Sequence, residues 1–478
     1  MELNEQQMKI NEPRIHHSLN KWFPNLILPI TAFIILAASS CETFVEVEPP
    51  KNILASKTVF IDAATVESTL ANLYLKMRQG GFVSGNFSLG ISMGIYADEL
   101  DYFGTDPNIL RLYNHNVTPS DGTVSQWWDL TYNIIYATND IVDGLENSNH
   151  LSLEDKNKFK GQALFVRAYI HSLLVSLFGD IPYLTTTNYS ENNKTVRMSV
   201  NAVYDNIITD LIHALALLEE PPSNTSKLWP HKSVANALLA RIYLYKEDWS
   251  MAESFSSTLI DSYFLEPDLN KVFLKNSPET IWQLKLGANP QNTYEALQLI
   301  ISSIPTQGVA LTSNLMDAFE PNDLRKTFWT ESITSANGLT TLFYAHKYKA
   351  THNTTTESLE YPIVFRLSEQ YLIRAEARVR MGDLVGAMQD VNVIRNRAGL
   401  PNITTTIPDE AMDAIIQERR VELFTEQGQR WFDLKRLSIA DDLLAPIKSG
   451  WQSTDIWFPI PEKELLLNKN LRPQNSGY

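Results

Sequence analysis

Along most of the chain, apolar residues recur every three or four positions, the spacing that places them on one face of a helix. From Val364 they fall at Leu367, Tyr371, Ala375 and Val379; beyond Gly382-Asp383 the pattern resumes at Leu384, Ala387, Met388, Val391, Ile394 and Ala398. Gly399 and Pro401 close the second window, as a helix-ending glycine and a proline that cannot continue a helix should. Together the two windows predict a helical hairpin. A second hairpin is predicted where Ala240 and Ala252 stand 12 positions apart across Glu247-Asp248, just as Ala375 and Ala387 do across Gly382.

Small residues at those places let two helices approach and turn back on each other, an arrangement that resembles the tetratricopeptide pair. Further helices are expected at about 62–77, 123–147, 154–178, 200–219 and 408–425. Residues 161–178 are apolar nearly all round, so that helix should be the most buried, with Gly179 and Pro182 ending it. Period-two alternation is sparse: residues 280–285 read as a strand and 457–461 as a short extended piece. Between about 286 and 360 periodicity fails, and a long irregular stretch in a folded domain is more often functional than idle. The fold class is therefore all-α, with tetratricopeptide-like pairs, long irregular loops and a few short strands.

The N-terminal pattern is different. Residues 26–38 form an apolar run of 13, after Lys9, Arg14 and Lys21 and before Ser39-Ser40-Cys41. As a helix the run is too short to cross a bilayer of about 30 Å, and small residues rather than a basic flank follow it, so it reads as a secretory signal. Cys41 directly after small residues resembles a bacterial lipobox, although Ala38 stands where Leu is commonest. Acylation of Cys41, palmitate included, would hold the mature chain on a membrane without a spanning helix. Residues 1–40 are assigned to the signal, 41–55 to an acidic, Pro-containing tether and 56–478 to one domain, with an N-terminal part to about 225 and a C-terminal part from about 226.

Composition narrows the chemistry. Lys plus Arg number 40 and Asp plus Glu 55, a net charge of −15, which argues against a nucleic-acid partner. One Cys excludes disulfides within the chain, paired-thiol redox chemistry and Cys-rich zinc sites. No GxSxG elbow, P-loop, GxGxxG, HExxH or EF-hand loop occurs. His346 and His352 lack ligand spacing, no cofactor is expected, and nothing indicates bound calcium. Seven Asn-x-Ser/Thr sequons carry little weight beside a bacterial lipobox. Asp98, Glu99 and Asp101 could supply the carboxylate pair of a glycosidase, but among so many acidic residues a solvated or helix-flanking role is the simpler reading. Aromatic residues remain. Sugars stack their CH faces on flat rings while polar groups meet their hydroxyls. The loop candidates are Tyr102, Phe103 and Tyr113 in one region and Tyr294, Phe328, Trp329, Phe343, Tyr344 and Tyr348 in another; Trp128, Tyr132, Tyr169 and Tyr371 are expected in the core.

Several segments together resemble the SusD/RagB family of outer-membrane lipoproteins: Trp128-Asp-Leu-Thr-Tyr-Asn-Ile-Ile-Tyr-Ala-Thr-Asn139, Gly179-Asp-Ile-Pro182, Ala235-Asn-Ala-Leu-Leu-Ala-Arg-Ile-Tyr-Leu244, Tyr371-Leu-Ile-Arg-Ala-Glu-Ala377, Ile394-Arg-Asn-Arg-Ala-Gly-Leu400, Glu418-Arg-Arg-Val-Glu-Leu423 and Arg430-Trp-Phe-Asp-Leu-Lys-Arg436. Gln427-Gly-Gln429 departs from the usual Glu-Gly pattern. Physically, the charges at 418–422 and 430–436 suit mutual pairing of a helix with the later chain. The resemblance implies a surface-exposed, lipid-anchored, non-catalytic protein that captures oligosaccharides, or in some members peptides, and hands them to a SusC-like TonB-dependent transporter. It transfers no ligand-binding residue, because in the family those lie in variable loops. Two alternatives stay open: a lid subunit with little affinity of its own, and a surface glycosidase.

Overall fold

The computed structural model describes residues 59–478, apart from 221–226, 286, 288, 289, 351 and 355. Cys41, the signal and the tether therefore lie outside the described residues. Contacts group Ser56–Tyr478 as one unit.

The first helices are α1 (Ala63–Gln79), α2 (Leu89–Tyr96), α3 (Gly122–Asn147), α4 (Leu153–Phe178) and α5 (Val200–Leu217). Short oxygen-bearing side chains start most of them: Asp62, Asp121, Ser152 and Ser199 each accept a hydrogen bond from a backbone N–H of the first turn that the helix itself leaves unpaired. All of 161–178 in α4 is buried, packed between α3 and α5. By length and composition α4 could cross a membrane, but here it is a core helix whose apolar 18-residue window is wholly covered by protein. At its end Gly179 adopts φ +72, and a Cβ there would sit 3.1 Å from the Trp457 ring, so both the turn and the close packing require glycine.

Two helical hairpins follow, α6 (Lys232–Tyr245) with α7 (Trp249–Ile260) and α8 (Leu367–Met381) with α9 (Leu384–Arg397). Their turns match. Asp248 and Asp383 occupy equivalent caps, accepting from Met251 N at 3.2 Å and Gly386 N at 2.9 Å. Ala240 and Ala252 are fully buried in one cluster with Ile373 and Ala377 of α8, while Ala375 and Ala387 pack with Ala411 and Ile415 of α10 (Pro408–Glu422). The small residues thus let α7 and α10 both lie against α8.

The region from 286 to 360 is more ordered than its sequence pattern suggests. Strands β1 (Leu100–Tyr102), β3 (Val309–Leu311), β4 (Thr330–Thr334) and β5 (Thr341–Ala345) form an antiparallel sheet in the order β1-β3-β5-β4, and β2 (Thr280–Gln283) pairs with β6 (Ile363–Arg366). Short helices span Tyr294–Leu299, Ser313–Ala318 and Leu324–Trp329. The β4–β5 hairpin projects mostly exposed Thr, Ser and Glu, so it carries no apolar alternation to read. In contrast, 457–461 forms no strand: Phe458 N–H donates to Leu177 O at 2.9 Å, and Pro459 and Pro461 have no N–H to offer.

A buried ion network ties these parts together. Fully buried Glu422 accepts from Arg325 at 3.0 Å, from Arg366 at 2.6 Å and from Arg397. Burial disfavours its charge, but the three guanidiniums outweigh that and hold the carboxyl well below its ordinary value. Arg325 also binds Glu418 and Asp323, and Arg366 binds Glu279 and Glu426. Of the pairing expected between 418–422 and α11 (Gln429–Arg436), Arg419–Asp433 at 2.7 Å is direct; Arg430 reaches Asp98 and Arg436 reaches Glu376. The helix is thus cross-linked to the whole domain rather than to the chain end alone. We expect Glu422→Gln to lower stability by about 3–5 kcal/mol, because three buried cations lose their shared anion. Denaturant unfolding would read this as a lower midpoint at unchanged slope, and an unaltered midpoint would refute it.

Candidate functional site

Side chains alternate along a strand, so cross-strand register sorts the sequence candidates onto two faces. Leu100 pairs with Leu311 and Leu311 with Phe343; Asp101 pairs with Ala310 and Tyr344 with Glu331. One face therefore carries Leu100, Tyr102, Leu311 and Phe343, and the other carries Asp101, Tyr344 and Glu331, with Phe103 continuing that side beyond β1. Neighbouring rings Phe343 and Tyr344 point in opposite directions and cannot share a flat ligand.

The outer face is the candidate site. Phe103 is 42% exposed there, its N–H bound to Gly308 O at 2.9 Å, and Tyr344 is half-buried. They stand on strands two apart and two residues out of level, which sets their backbones about 12 Å apart. Asp101 of the same face lines a cavity of about 280 Å³, together with Asp98, Tyr113, Asn114, Ser313 and Lys448 among others. Tyr113 donates its hydroxyl to Asp101 at 2.9 Å, and burial, then the Asp101 charge, pushes the phenol up to about 12. Lys448 lies 4.2 Å from the Tyr113 ring and donates to Ile95 O at 2.9 Å, and burial brings its amine down to about 8. Lys448 and Asn114 were not legible as site residues. What joins them is Gly450, whose Cβ would fall 1.9 Å from Asn114 O, a contact between segments more than 300 residues apart in sequence.

The remaining candidates are placed elsewhere. Tyr102 is buried edge-on to Phe87, 6.0 Å away, and its hydroxyl accepts from Asp106 N–H. Half-buried Tyr294 packs on His352 at 4.4 Å. Phe343 is 38% exposed on the opposite face. Trp329, expected as a ligand-facing ring, is instead core: it is fully buried, donates to Leu269 O at 2.9 Å, and lies under Lys347, Arg366 and Arg397 at 5.0–5.8 Å. Tyr348 is buried against Phe273. Of the helical aromatics expected in the core, Trp128 and Tyr169 are buried and Tyr132 and Tyr371 are half-buried.

Asp98 and Glu99 differ sharply. Burial raises Asp98, but bonds from Arg430 at 2.7 Å and Arg420 at 2.9 Å outweigh it and hold the carboxyl below its usual range. Glu99 is pushed up to about 8 by burial first and by the Asp98 charge second, with Thr425 N–H donating to it at 3.2 Å. Glu99 is 2% exposed and does not line the cavity. Among the described residues no three His, Cys, Asp or Glu side chains gather as a metal site.

Two family models match, one described as starch-binding associating with outer membrane, over residues 43–244, and one as the SusD family, over residues 312–455. The chain belongs to the SusD/RagB family. The SusD-like protein P2 of Formosa agariphila is 28% identical, with 90% of this chain and 96% of the relative aligned. SusD-like protein P38 of the same organism is 25% identical over 96% and 100%. Among solved structures, a SusD superfamily protein from Bacteroides vulgatus matches with TM-score 0.77 at 23% identity, covering 87% of this chain and 99% of that one. Surface glycan-binding protein A from Bacteroides thetaiotaomicron, solved in complex with laminarihexaose, matches with TM-score 0.73 at 19% identity over 86% and 99%. These structures share the SusD fold.

Glu99 supplies a test of the site's electrostatics. The folded protein keeps its proton to about pH 8, whereas an unfolded Glu releases it near 4.3. Between those values the folded state binds more protons, so stability falls as pH rises. Glu99→Gln removes the titration, and its melting temperature should fall less than that of the wild type from pH 5 to pH 8. Parallel curves would contradict the assignment.

Proposed function

We propose that this SusD-family protein is a lipid-anchored receptor on the outer membrane surface that binds oligosaccharides at the outer face of its sheet and delivers them to a SusC-like TonB-dependent transporter. The observation that carries the reading is that exposed Phe103 and half-buried Tyr344 share one sheet face with Asp101, which lines a polar cavity with Asn114 and Lys448. Flat rings flanked by hydrogen-bonding groups suit the alternating apolar and hydroxyl surfaces of a sugar. The structural neighbour solved in complex with laminarihexaose supports the ligand class. Catalysis finds no support in the same geometry. Glu99 is enclosed, and Asp98 is occupied by two arginines, so neither is free to protonate a glycosidic oxygen or to attack a sugar. The protein thus acts by holding its ligand.

Calorimetry or affinity electrophoresis over a glycan panel tests the reading. Phe103→Ala and Tyr344→Ala should each weaken binding about fivefold, from about 1 kcal/mol per stacked ring. Trp329→Ala should lower stability by about 3–5 kcal/mol, as expected for a core ring. If both surface variants bind like the wild type, the sheet face is not the site. Anchoring is tested separately: Cys41→Ser should shift the protein from the membrane fraction to the soluble fraction and abolish incorporation of labelled palmitate. A variant that stays in the membrane fraction would remove Cys41 as the anchor.

A further inference from the structure

A second concavity lies along α3, away from the sheet. It encloses about 400 Å³, within the range of small-ligand sites. Trp128, Tyr132 and Tyr136 line it from successive turns of α3, which four-residue spacing places about 6 Å apart along the axis. Trp128 and Tyr132 are in ring contact at 4.8 Å. Tyr136 is 53% exposed, and across from it Tyr189 is 74% exposed. A single exposed aromatic residue is ordinary, but several lining one groove mark an interaction surface.

The opposing wall is the stretch between α4 and α5, and the fold holds it in place. Tyr132 donates its hydroxyl to Pro182 O at 2.9 Å, and Asn139 donates to Leu184 O at 3.0 Å and Thr186 O at 3.3 Å. Buried Arg167 orients Asn139 by donating to its Oδ1 at 2.9 Å. Farther along, Asn468 donates to Thr195 O and Asn470 to Lys194 O, both at 2.9 Å. A loop fixed from both sides by side-chain amides forms a preformed wall, which lowers the ordering cost of binding.

The lining selects the ligand's charge. It contains no Lys or Arg, and its only carboxylates are Asp129 and Glu464, the first already paired with Lys463. Phosphates, uronates and acidic peptides would meet repulsion from both carboxylates, and a cationic ligand would compete with Lys463 at Asp129 and with the Trp128 side chain at Glu464. Between the rings stand the amides of Asn133 and Asn193 and the hydroxyl of Thr187. Asn133 donates to Asp129 O at 2.7 Å and Asn193 to the Tyr189 hydroxyl at 3.3 Å, and their amide oxygens can accept from a ligand's hydroxyls, which a purely apolar occupant would not supply.

We propose that the groove between α3 and the 182–195 segment is a second ligand site, for a neutral oligosaccharide, with Tyr136 and Tyr189 as its stacking rings. Its ligand class rests on the glycan-binding reading, but its position does not. Two sites on one receptor allow a long polymer to be held at two points, raising avidity without tighter individual contacts.

The test uses the mature chain carrying 3-fluorotyrosine, with the Tyr136 and Tyr189 resonances assigned by Tyr→Phe substitution and laminarihexaose and maltohexaose as probes. We expect both resonances to shift on titration in wild-type protein and in the Phe103→Ala/Tyr344→Ala variant. Tyr136→Ala/Tyr189→Ala should lower groove affinity at least fivefold, read by the remaining Tyr132 resonance, and both positions are exposed enough for truncation to spare the fold. Groove resonances unmoved by either sugar would overturn the proposal. So would groove variants that leave oligosaccharide binding intact while reducing co-purification with a protein partner, since that would mark the surface as a protein interface. If the sheet variants alone abolish all binding, the groove fails and the sheet reading stands; if the groove variants alone do so, the reverse holds.

Discussion

One carboxylate deep in the domain organises much of the structure. Glu422 ends α10 with no water around it and is tolerable there only because Arg325, Arg366 and Arg397 converge on it. Those arginines come from a short helix, from the last residue of β6 and from the end of α9, so a single anion fixes three elements at once. The same turn holds the exposed hairpin: Lys347, two residues beyond β5, donates to Glu422 O at 2.8 Å and Phe424 O at 2.9 Å. Tyr344 is therefore presented from a rigid base, which is what a stacking surface needs if binding is not to be opposed by side-chain and loop ordering. Neutral replacements could fill the same volume, but they would lose the directional bonds that relate β6, α9 and α10.

The helical part was legible because its signals are local. Predicted spans 123–147, 154–178 and 200–219 became Gly122–Asn147, Leu153–Phe178 and Val200–Leu217, since a capping side chain starts each within one window and local apolar patterning, with Gly179 closing α4, marks their extent. The matched alanine pairs found their partners for the same reason. The sheet was hidden because β1 and β3 are three residues each and lie some 200 residues apart, while β4 and β5 face solvent and need no apolar alternation.

The site was only partly legible. Phe103 and Tyr344 were named from residue type and loop context, and the sheet places them on one face. Trp329 satisfied the same criteria and proved to be core, because the cations that cover it come from positions 347, 366 and 397 and no local pattern announces them. Tyr136 was missed for the opposite reason. It sits in a strongly periodic helix, where an aromatic residue reads as core, and only the return of the chain past Pro182 leaves its side open as a groove wall.

Helix α4 bears on how the chain can be handled before it folds. It contains an 18-residue window whose length and apolarity meet what membrane insertion machinery recognises, yet in the finished domain that window is wholly buried. Arg167 sits near the middle, and in the folded protein it is matched by Asp210 at 2.6 Å. In an unfolded chain threading through a translocation channel that partner is absent, and an arginine at mid-membrane depth adds about 2.5–3.5 kcal/mol against sideways release into lipid. For the exported, surface-anchored chain proposed above, the residue that cements α4 to α5 would also oppose lodging of this segment in the bilayer.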